Sequence, residues 1–248
     1  MAPMVEPILP MAGGGRAALP LELRWSAERP LPLPWVIPEG RQAPTRTVGQ
    51  FPLDFGAAMA RLCADIALHC PALRHVRTER VLVAFTPARN RNRFGLQARI
   101  TPLRFADGGL LRRYRRREYQ VQRFFVDGVE MLYVLAFCLP RFLDQSFDEK
   151  LSTIFHELFH MSPAFDGGLR RLDDRCALHS RSKARYEAHV KSLARAYLAD
   201  QKRPELLAFL RFNYRELWVR HGGIRAALVP RPKLLPVGSP SRQAAKKG

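Results

Sequence analysis

The sequence predicts an α+β fold in which a small, mostly antiparallel sheet packs against helices. Strand-like segments occupy the middle of the chain, and helix-like segments stand before and after them. The dipeptide Asp127-Gly128 separates two apolar segments, which is a strong signal for an antiparallel hairpin. A capped amphipathic segment follows the last strand, so we expect a helix to pack on the sheet there.

Each element follows from a local pattern. Phe55, Met59, Leu62 and Ile66 recur at helical spacing, and Pro71 closes this first helix. Short apolar runs predict strands over 81–85, 96–105, 119–126 and 129–139. Residues 131–139 are almost continuously apolar, which predicts a strand in the sheet interior. Helical spacing returns over 186–197 and over 204–217 and predicts two further helices.

Composition divides the chain into three parts. Residues 1–50 are rich in proline and glycine and predict a flexible N-terminal arm. Residues 51–228 predict a single domain, and residues 229–248 predict a basic, disordered tail. The four cysteines form no C-x-x-C pair, and the sequence shows neither a membrane span nor a secretory signal. These features predict reduced thiols and a cytoplasmic protein.

The segment 156–160 reads H-E-L-F-H, an H-E-x-x-H motif. Ser146 and Glu149 form a capping-box pattern that predicts a helix start, and Pro163 predicts its end. Residues four apart share one face of a helix, so His156 and His160 can bind one metal ion. The motif therefore predicts a catalytic zinc site.

Zinc-dependent hydrolysis assigns a role to three of the five residues of the motif. His156 and His160 are predicted Zn²⁺ ligands, and Glu157 is the predicted general base that accepts a proton from a water molecule. The alternative interpretation is a buried helix whose two histidines are satisfied by hydrogen bonds. Burying two histidines and a glutamate without partners is costly, and a metal removes that cost.

A catalytic zinc site usually has three protein ligands, and the sequence offers several candidates for the third. His179 precedes the predicted helix over 186–197 and is the favoured candidate. Asp166 lies six residues after His160 and is the alternative, although its position before two glycines is also typical of a turn. Glu187 and His189 lie within the following helix and are weaker candidates.

The segment 153–167, T-I-F-H-E-L-F-H-M-S-P-A-F-D-G, resembles a family of zincin metallopeptidases of prokaryotes and phages. In that family H-E-L-x-H is followed by a short x-P-x-F-D-G segment and by a later histidine, here His179. A more distant resemblance is to SprT-like minimal zincins, some of which act on proteins attached to DNA. The resemblance covers about residues 75–200 and implies a zincin-like fold and a zinc protease acting on a protein or peptide substrate.

Charge supports a competing function. The net charge is +19, and residues 201–248 carry 11 Lys and Arg against 2 Asp and Glu. A second basic cluster lies at 112–117, and such segments attract nucleic acid. The alternatives to a peptidase are thus a nucleic-acid-binding protein with a structural or vestigial metal site, or a protease that acts on DNA-bound proteins.

Overall fold

The computed structural model describes residues 19–37, 49, 51–88, 92, 94–170 and 183–237, which form a mixed α+β fold. The strands are β1 (Glu22–Trp25), β2 (Leu53–Asp54), β3 (Val81–Pro87), β4 (Ala98–Pro102), β5 (Leu111–Tyr114), β6 (Arg117–Val121), β7 (Arg123–Val126), β8 (Val129–Met131), β9 (Tyr133–Leu139), β10 (Ile224–Arg225) and β11 (Leu234–Val237). The α-helices are α1 (Phe55–His69), α2 (Phe147–Phe159), α3 (Lys183–Ala199) and α4 (Tyr214–His221), and the 3-10 helices are Pro71–Leu73, Thr78–Arg80 and Pro204–Arg211.

The central sheet has the order β3-β9-β4, so the predicted interior strand does lie in the middle. β9 pairs antiparallel with β4 but parallel with β3. The other strands form the separate sheets β1-β7-β8, β11-β6-β5 and β10-β2. The prediction of one mostly antiparallel sheet is therefore correct for several pairs and misses both the division into small sheets and the parallel pairs.

The central sheet is covered on both faces. One face carries Leu135 and Phe137 into the main core, where they join side chains of α1 and α2 such as Phe55 and Phe155. The other face carries Val134 into a smaller cluster with β7 and β8. Burial on both faces explains why β9 is apolar at nearly every position, because alternate residues point to opposite sides of a sheet.

The Asp127-Gly128 hairpin is confirmed, but its second strand divides. β7 and β8 pair antiparallel around this two-residue turn, in which both residues have positive φ. β8 ends at Met131, and β9 continues into the central sheet from Tyr133. The chain thus passes from one sheet to another within a segment that looks like one strand in the sequence.

Packed structure extends beyond residues 51–228 at both ends. β1 pairs parallel with β7, and Val36 is only 1% exposed. β11 pairs antiparallel with β6. The predicted arm and tail therefore both contribute strands, whereas residues 1–18, 38–48 and 238–248 lie outside the described part.

The predicted helix over 204–217 is two elements. The 3-10 helix ends at Arg211, and α4 restarts because the Asn213 side chain accepts from the backbone N–H of Glu216 at 2.9 Å. The Glu216 carboxylate in turn accepts from the Asn213 N–H at 2.8 Å, which completes a second capping box. The Lys150 ammonium, on α2, donates to the carbonyls of Leu210 and Phe212 at this break, and burial lowers the pKa of Lys150 to about 8.

None of the helices in the described ranges is long and apolar enough to cross a membrane. Cys63, Cys70 and Cys138 are buried free thiols, in agreement with the predicted reduced state of these three, and Cys176 lies outside the described residues. Cytoplasmic localisation remains a prediction.

Candidate metal centre

Helix α2 starts where the capping box predicts. The Ser146 hydroxyl accepts from the N–H of Glu149 at 3.3 Å, and the Glu149 carboxylate accepts from the N–H of Ser146 at 2.8 Å. A cap of this kind stabilises a helix by about 1 kcal/mol. Because the cap fixes the first residue of the helix, it also fixes the side of the helix on which His156 and His160 lie.

The H-E-x-x-H segment occupies the last turn of α2 rather than its middle. The helix ends at Phe159, and His160 is its C-cap with φ −69° and ψ −19°, which is still helical geometry. Leu151, Ile154 and Phe155 on the inner face are at most 1% exposed. His156 and His160 are half-buried, on a different side of the helix from this core face.

The two imidazoles converge. Their Nε2 atoms lie 2.9 Å apart, and the ring centroids are separated by 4.5 Å with nearly perpendicular planes. Two Zn–N bonds of about 2.0–2.1 Å at a tetrahedral angle place the nitrogens roughly 3.3 Å apart. The observed separation is close to that value, so the rings need only a small adjustment to share one ion.

Glu157 points to the edge of the central sheet. Its Oε2 atom accepts from the backbone N–H of Ile100 on β4 at 2.7 Å, and the residue is 8% exposed. Burial raises the pKa of the Glu157 carboxyl to about 7, although the Ile100 N–H and the charge of Arg99 act in the opposite direction. A carboxyl that titrates near neutral pH can both accept and return a proton.

Tyr186 on α3 covers the histidine pair. Its ring centroid lies 5.1 Å from that of His156 and 5.7 Å from that of His160. Its hydroxyl donates to the backbone carbonyl of His156 at 3.2 Å. Burial raises the pKa of Tyr186, and the charge of Glu157 adds to this effect. Tyr186 therefore stays a neutral hydrogen-bond donor beside the two imidazoles.

Arg170 holds the C-terminal end of α2. Its backbone N–H donates to the carbonyl of His160 at 2.8 Å, and its Nε donates to the carbonyl of Phe159 at 2.7 Å. The guanidinium also lies 4.0 Å from the centre of the Phe159 ring. The last carbonyls of a helix lack partners within the helix, so Arg170 satisfies two of them and holds His160 in place.

His75 adds to this contact from outside α2. Its Nε2 lies 3.4 Å from the Arg170 guanidinium. Burial lowers the pKa of His75, and the charge of Arg170 lowers it further, while a hydrogen bond with the backbone of Met161 opposes this. Neither Arg170 nor His75 is identifiable from sequence, because only the folded chain brings these segments to the end of α2.

Asp166, the alternative third ligand, lies in a turn. Its Oδ1 accepts from the N–H of Gly168 at 2.9 Å, as the turn interpretation predicts. Phe165 and Gly167 on either side have positive φ. The buried Tyr133 hydroxyl donates to the carbonyl of Gly168 at 2.8 Å and accepts from the N–H of Gly167 at 3.1 Å. These contacts hold the loop that follows the motif.

The described residues contain no group of three or more His, Cys, Asp and Glu side chains arranged to hold a metal. Asp166 is therefore not assembled with the histidine pair, and neither are Glu187 and His189. The exposed His189 ring instead contacts Phe159, with a centroid separation of 5.3 Å. His179 lies within 171–182, outside the described residues, so the identity of the third ligand remains a prediction.

Comparison of the chain with protein-family models, with curated proteins and with solved structures finds no match. The resemblance to zincins therefore gains no support from these comparisons, and the function is inferred from the residues of the site.

Proposed function

We propose that this protein is a zinc-dependent metallopeptidase with a zincin-like fold. The observation that carries the proposal is the 2.9 Å approach of the His156 and His160 Nε2 atoms, one helical turn apart. Convergent imidazole nitrogens at this separation suit Zn²⁺, which binds histidine readily and prefers tetrahedral geometry. The resemblance of segment 153–167 to zincin peptidases supports the same assignment.

His156 and His160 hold the ion, with His179 as the favoured third ligand and Asp166 as the alternative. Bound zinc supplies a Lewis acid that makes water a better nucleophile near neutral pH. Glu157 accepts the proton of the attacking water at its carboxylate and delivers it to the leaving nitrogen of the peptide. Tyr186 packs against both histidine rings, and its hydroxyl donates to the backbone carbonyl of His156, which ties α3 to this part of α2.

The edge of β4 offers a way to orient a peptide substrate. β4 is an edge strand of the central sheet, and its register with β9 turns the backbone groups of Ala98 and Ile100 away from β9. The Ile100 N–H on this side donates a hydrogen bond to the Glu157 carboxylate. An extended peptide that adds along this edge would run past the general base, in the manner of β-strand addition.

Metal content and hydrolysis of a fluorescently labelled, unfolded casein test the proposal together. Purified protein should contain about one equivalent of zinc, and His156→Ala and His160→Ala should lose it. His189→Ala is the matched control, because this exposed histidine lies nearby and should leave zinc and hydrolysis unchanged. Glu157→Gln should retain zinc and lose hydrolysis. A zinc-free protein, or full activity in Glu157→Gln, contradicts the proposal.

The third ligand requires its own pair of variants. We expect His179→Ala to lower zinc occupancy and Asp166→Ala to leave it unchanged, because the Asp166 carboxylate is engaged with Gly168. The reverse result would assign the ligand to Asp166. Equal retention in both variants would exclude both residues from the coordination shell.

A further inference from the structure

β5 and β6 form an exposed hairpin, called here the arginine hairpin (residues 111–121). Every residue from Leu111 to Glu118 is exposed. The hairpin contains five arginines against one glutamate, which leaves a net charge of +4 over eleven residues. β11 pairs with the other edge of β6, so the hairpin is part of a three-stranded sheet rather than a loose loop.

The strand register separates these side chains into two faces. Arg113 pairs directly with Glu118, so the single acid of the hairpin lies beside one arginine on one face. The other pairs are Arg112 with Tyr119 and Tyr114 with Arg117. Directly paired residues share a face, and successive residues alternate. The second face, here the arginine–tyrosine face, therefore carries Arg112, Tyr114, Arg117 and Tyr119 and no acidic residue.

The turn of the hairpin is unusual for its residue types. Arg115 and Arg116 have φ values of 45° and 66°, a left-handed conformation that favours glycine and asparagine. Turn chemistry therefore does not explain two arginines here. The Arg115 guanidinium lies 5.4 Å from the centre of the Tyr114 ring, which extends the positive charge onto the arginine–tyrosine face.

We propose that the arginine–tyrosine face, together with the adjoining turn residues Arg115 and Arg116, binds single-stranded nucleic acid. Guanidinium groups pair with phosphates, and an exposed tyrosine ring stacks on an unpaired base, which is the combination that non-specific single-strand binders use. Tyr114 is 46% exposed, so its ring is accessible for stacking. A duplex keeps its bases stacked on one another, so the tyrosines favour the single strand. This inference does not depend on the peptidase proposal.

Substitutions in the turn can remove positive charge without unfolding the hairpin. Arg115→Asn combined with Arg116→Gly removes two charges and installs the residues that this turn prefers, so the hairpin should remain folded. The matched control is Lys191→Gln combined with Arg195→Gln, which removes two exposed charges from α3. Circular dichroism and thermal unfolding of the full chain verify that both proteins fold.

Fluorescence anisotropy with a labelled oligothymidylate, measured over a series of salt concentrations, reports binding. Wild-type affinity should fall as salt rises. The variant with Arg115→Asn and Arg116→Gly should bind on the order of tenfold more weakly near 0.1 M salt. The slope of its log K against log salt should be shallower by about 1.4, because two phosphate contacts are lost. The α3 control should bind like the wild type.

Tyr114→Leu tests the stacking contribution separately from charge. Its affinity should fall by about tenfold, while the salt slope remains that of the wild type. Three results would each overturn the proposal. The first is wild-type protein that does not bind the oligothymidylate in a salt-dependent manner. The second is equal binding by the variant with Arg115→Asn and Arg116→Gly and by the α3 control. The third is tighter binding to a DNA duplex or to phosphatidylserine vesicles than to the single strand.

Discussion

The candidate metal centre and the arginine hairpin differ in what holds their side chains in place. His160 at the end of α2 is positioned by buried or half-buried partners on other elements, including Arg170 and Tyr186. The arginines of the hairpin are exposed, and the strand register and the turn set their positions, with Arg112 also 5.3 Å from the centre of the Phe105 ring. The first region thus depends on tertiary packing, and the second depends on local backbone structure and charge. Substitutions in the two regions should therefore have separable effects.

The largest expected difference is in activity. Glu157→Gln should lower casein hydrolysis by about 10²–10⁴-fold, the usual contribution of a general base. Affinity for oligothymidylate should be unchanged in this variant, since Glu157 lies at the β4 edge and not in the hairpin. Parallel loss of hydrolysis and of oligothymidylate binding would show that the two regions are not separable.

The second-largest expected difference is in the free energy of unfolding when a core residue and a hairpin residue are substituted. Phe155 is fully buried and its ring lies 5.6 Å from that of Tyr197, so Phe155→Ala should lower the free energy of unfolding by about 3–5 kcal/mol. Tyr114→Leu, in the exposed hairpin, should change it by under about 0.5 kcal/mol. Urea unfolding of the two variants measures both values. A similar loss in both would mean that the hairpin belongs to the packed core.

Lys150 predicts a dependence of stability on alkaline pH. Burial lowers its pKa from 10.5 to about 8 in the folded protein. Between these values the unfolded chain binds more protons, so rising pH favours the folded state, and below pH 8 the cost of the buried charge is fully present. The free energy of unfolding of the wild type relative to Lys150→Met should therefore rise by up to about 3 kcal/mol from pH 8 to 10.5.

Urea unfolding of wild type and Lys150→Met at each pH measures this difference. The comparison cancels the titration of groups that the two proteins share. A constant difference across the range would mean that Lys150 keeps its ordinary pKa in the folded state.

Changes of about 1 kcal/mol are expected at the two hairpin turns, which have similar φ values but different residues. Asp127 and Gly128 have φ values of 47° and 80°, close to those of Arg115 and Arg116. Arg115→Asn with Arg116→Gly should raise the free energy of unfolding by about 1 kcal/mol. Gly128→Ala should lower it by a similar amount through backbone strain, since the added Cβ meets nothing within 4 Å. Thermal unfolding measures both, and equal stability of all three proteins would contradict the strain argument.

These turns also show why sequence predicted some elements and not others. Asp127-Gly128 carries a local turn signal, and its hairpin was predictable, whereas Arg115-Arg116 carries none. The Ser146 capping box likewise predicts the start of α2, because both partners are close in sequence. The Asn213 capping box is equally local, but it lies within a longer run at helical spacing that predicts one continuous helix.

β1 and β11 were not predicted, because each is short and is defined by a partner strand far away in the chain. Their pairing depends on the whole fold and leaves little trace in local propensity. The parallel pairing of β3 with β9 is of the same kind, since hydrophobic runs indicate a buried strand but do not indicate its direction.

Local sequence is enough to specify the chemistry available on α2, namely two imidazoles at helical spacing and a carboxylate beside them. It also determined the helix that carries them, because capping and periodicity are local properties. Tertiary structure decided the rest: it directs Glu157 to the β4 edge, places Tyr186 over the histidines and brings Arg170 to the end of α2. These contacts join segments that are distant in the chain, and only packing of the complete core brings them together.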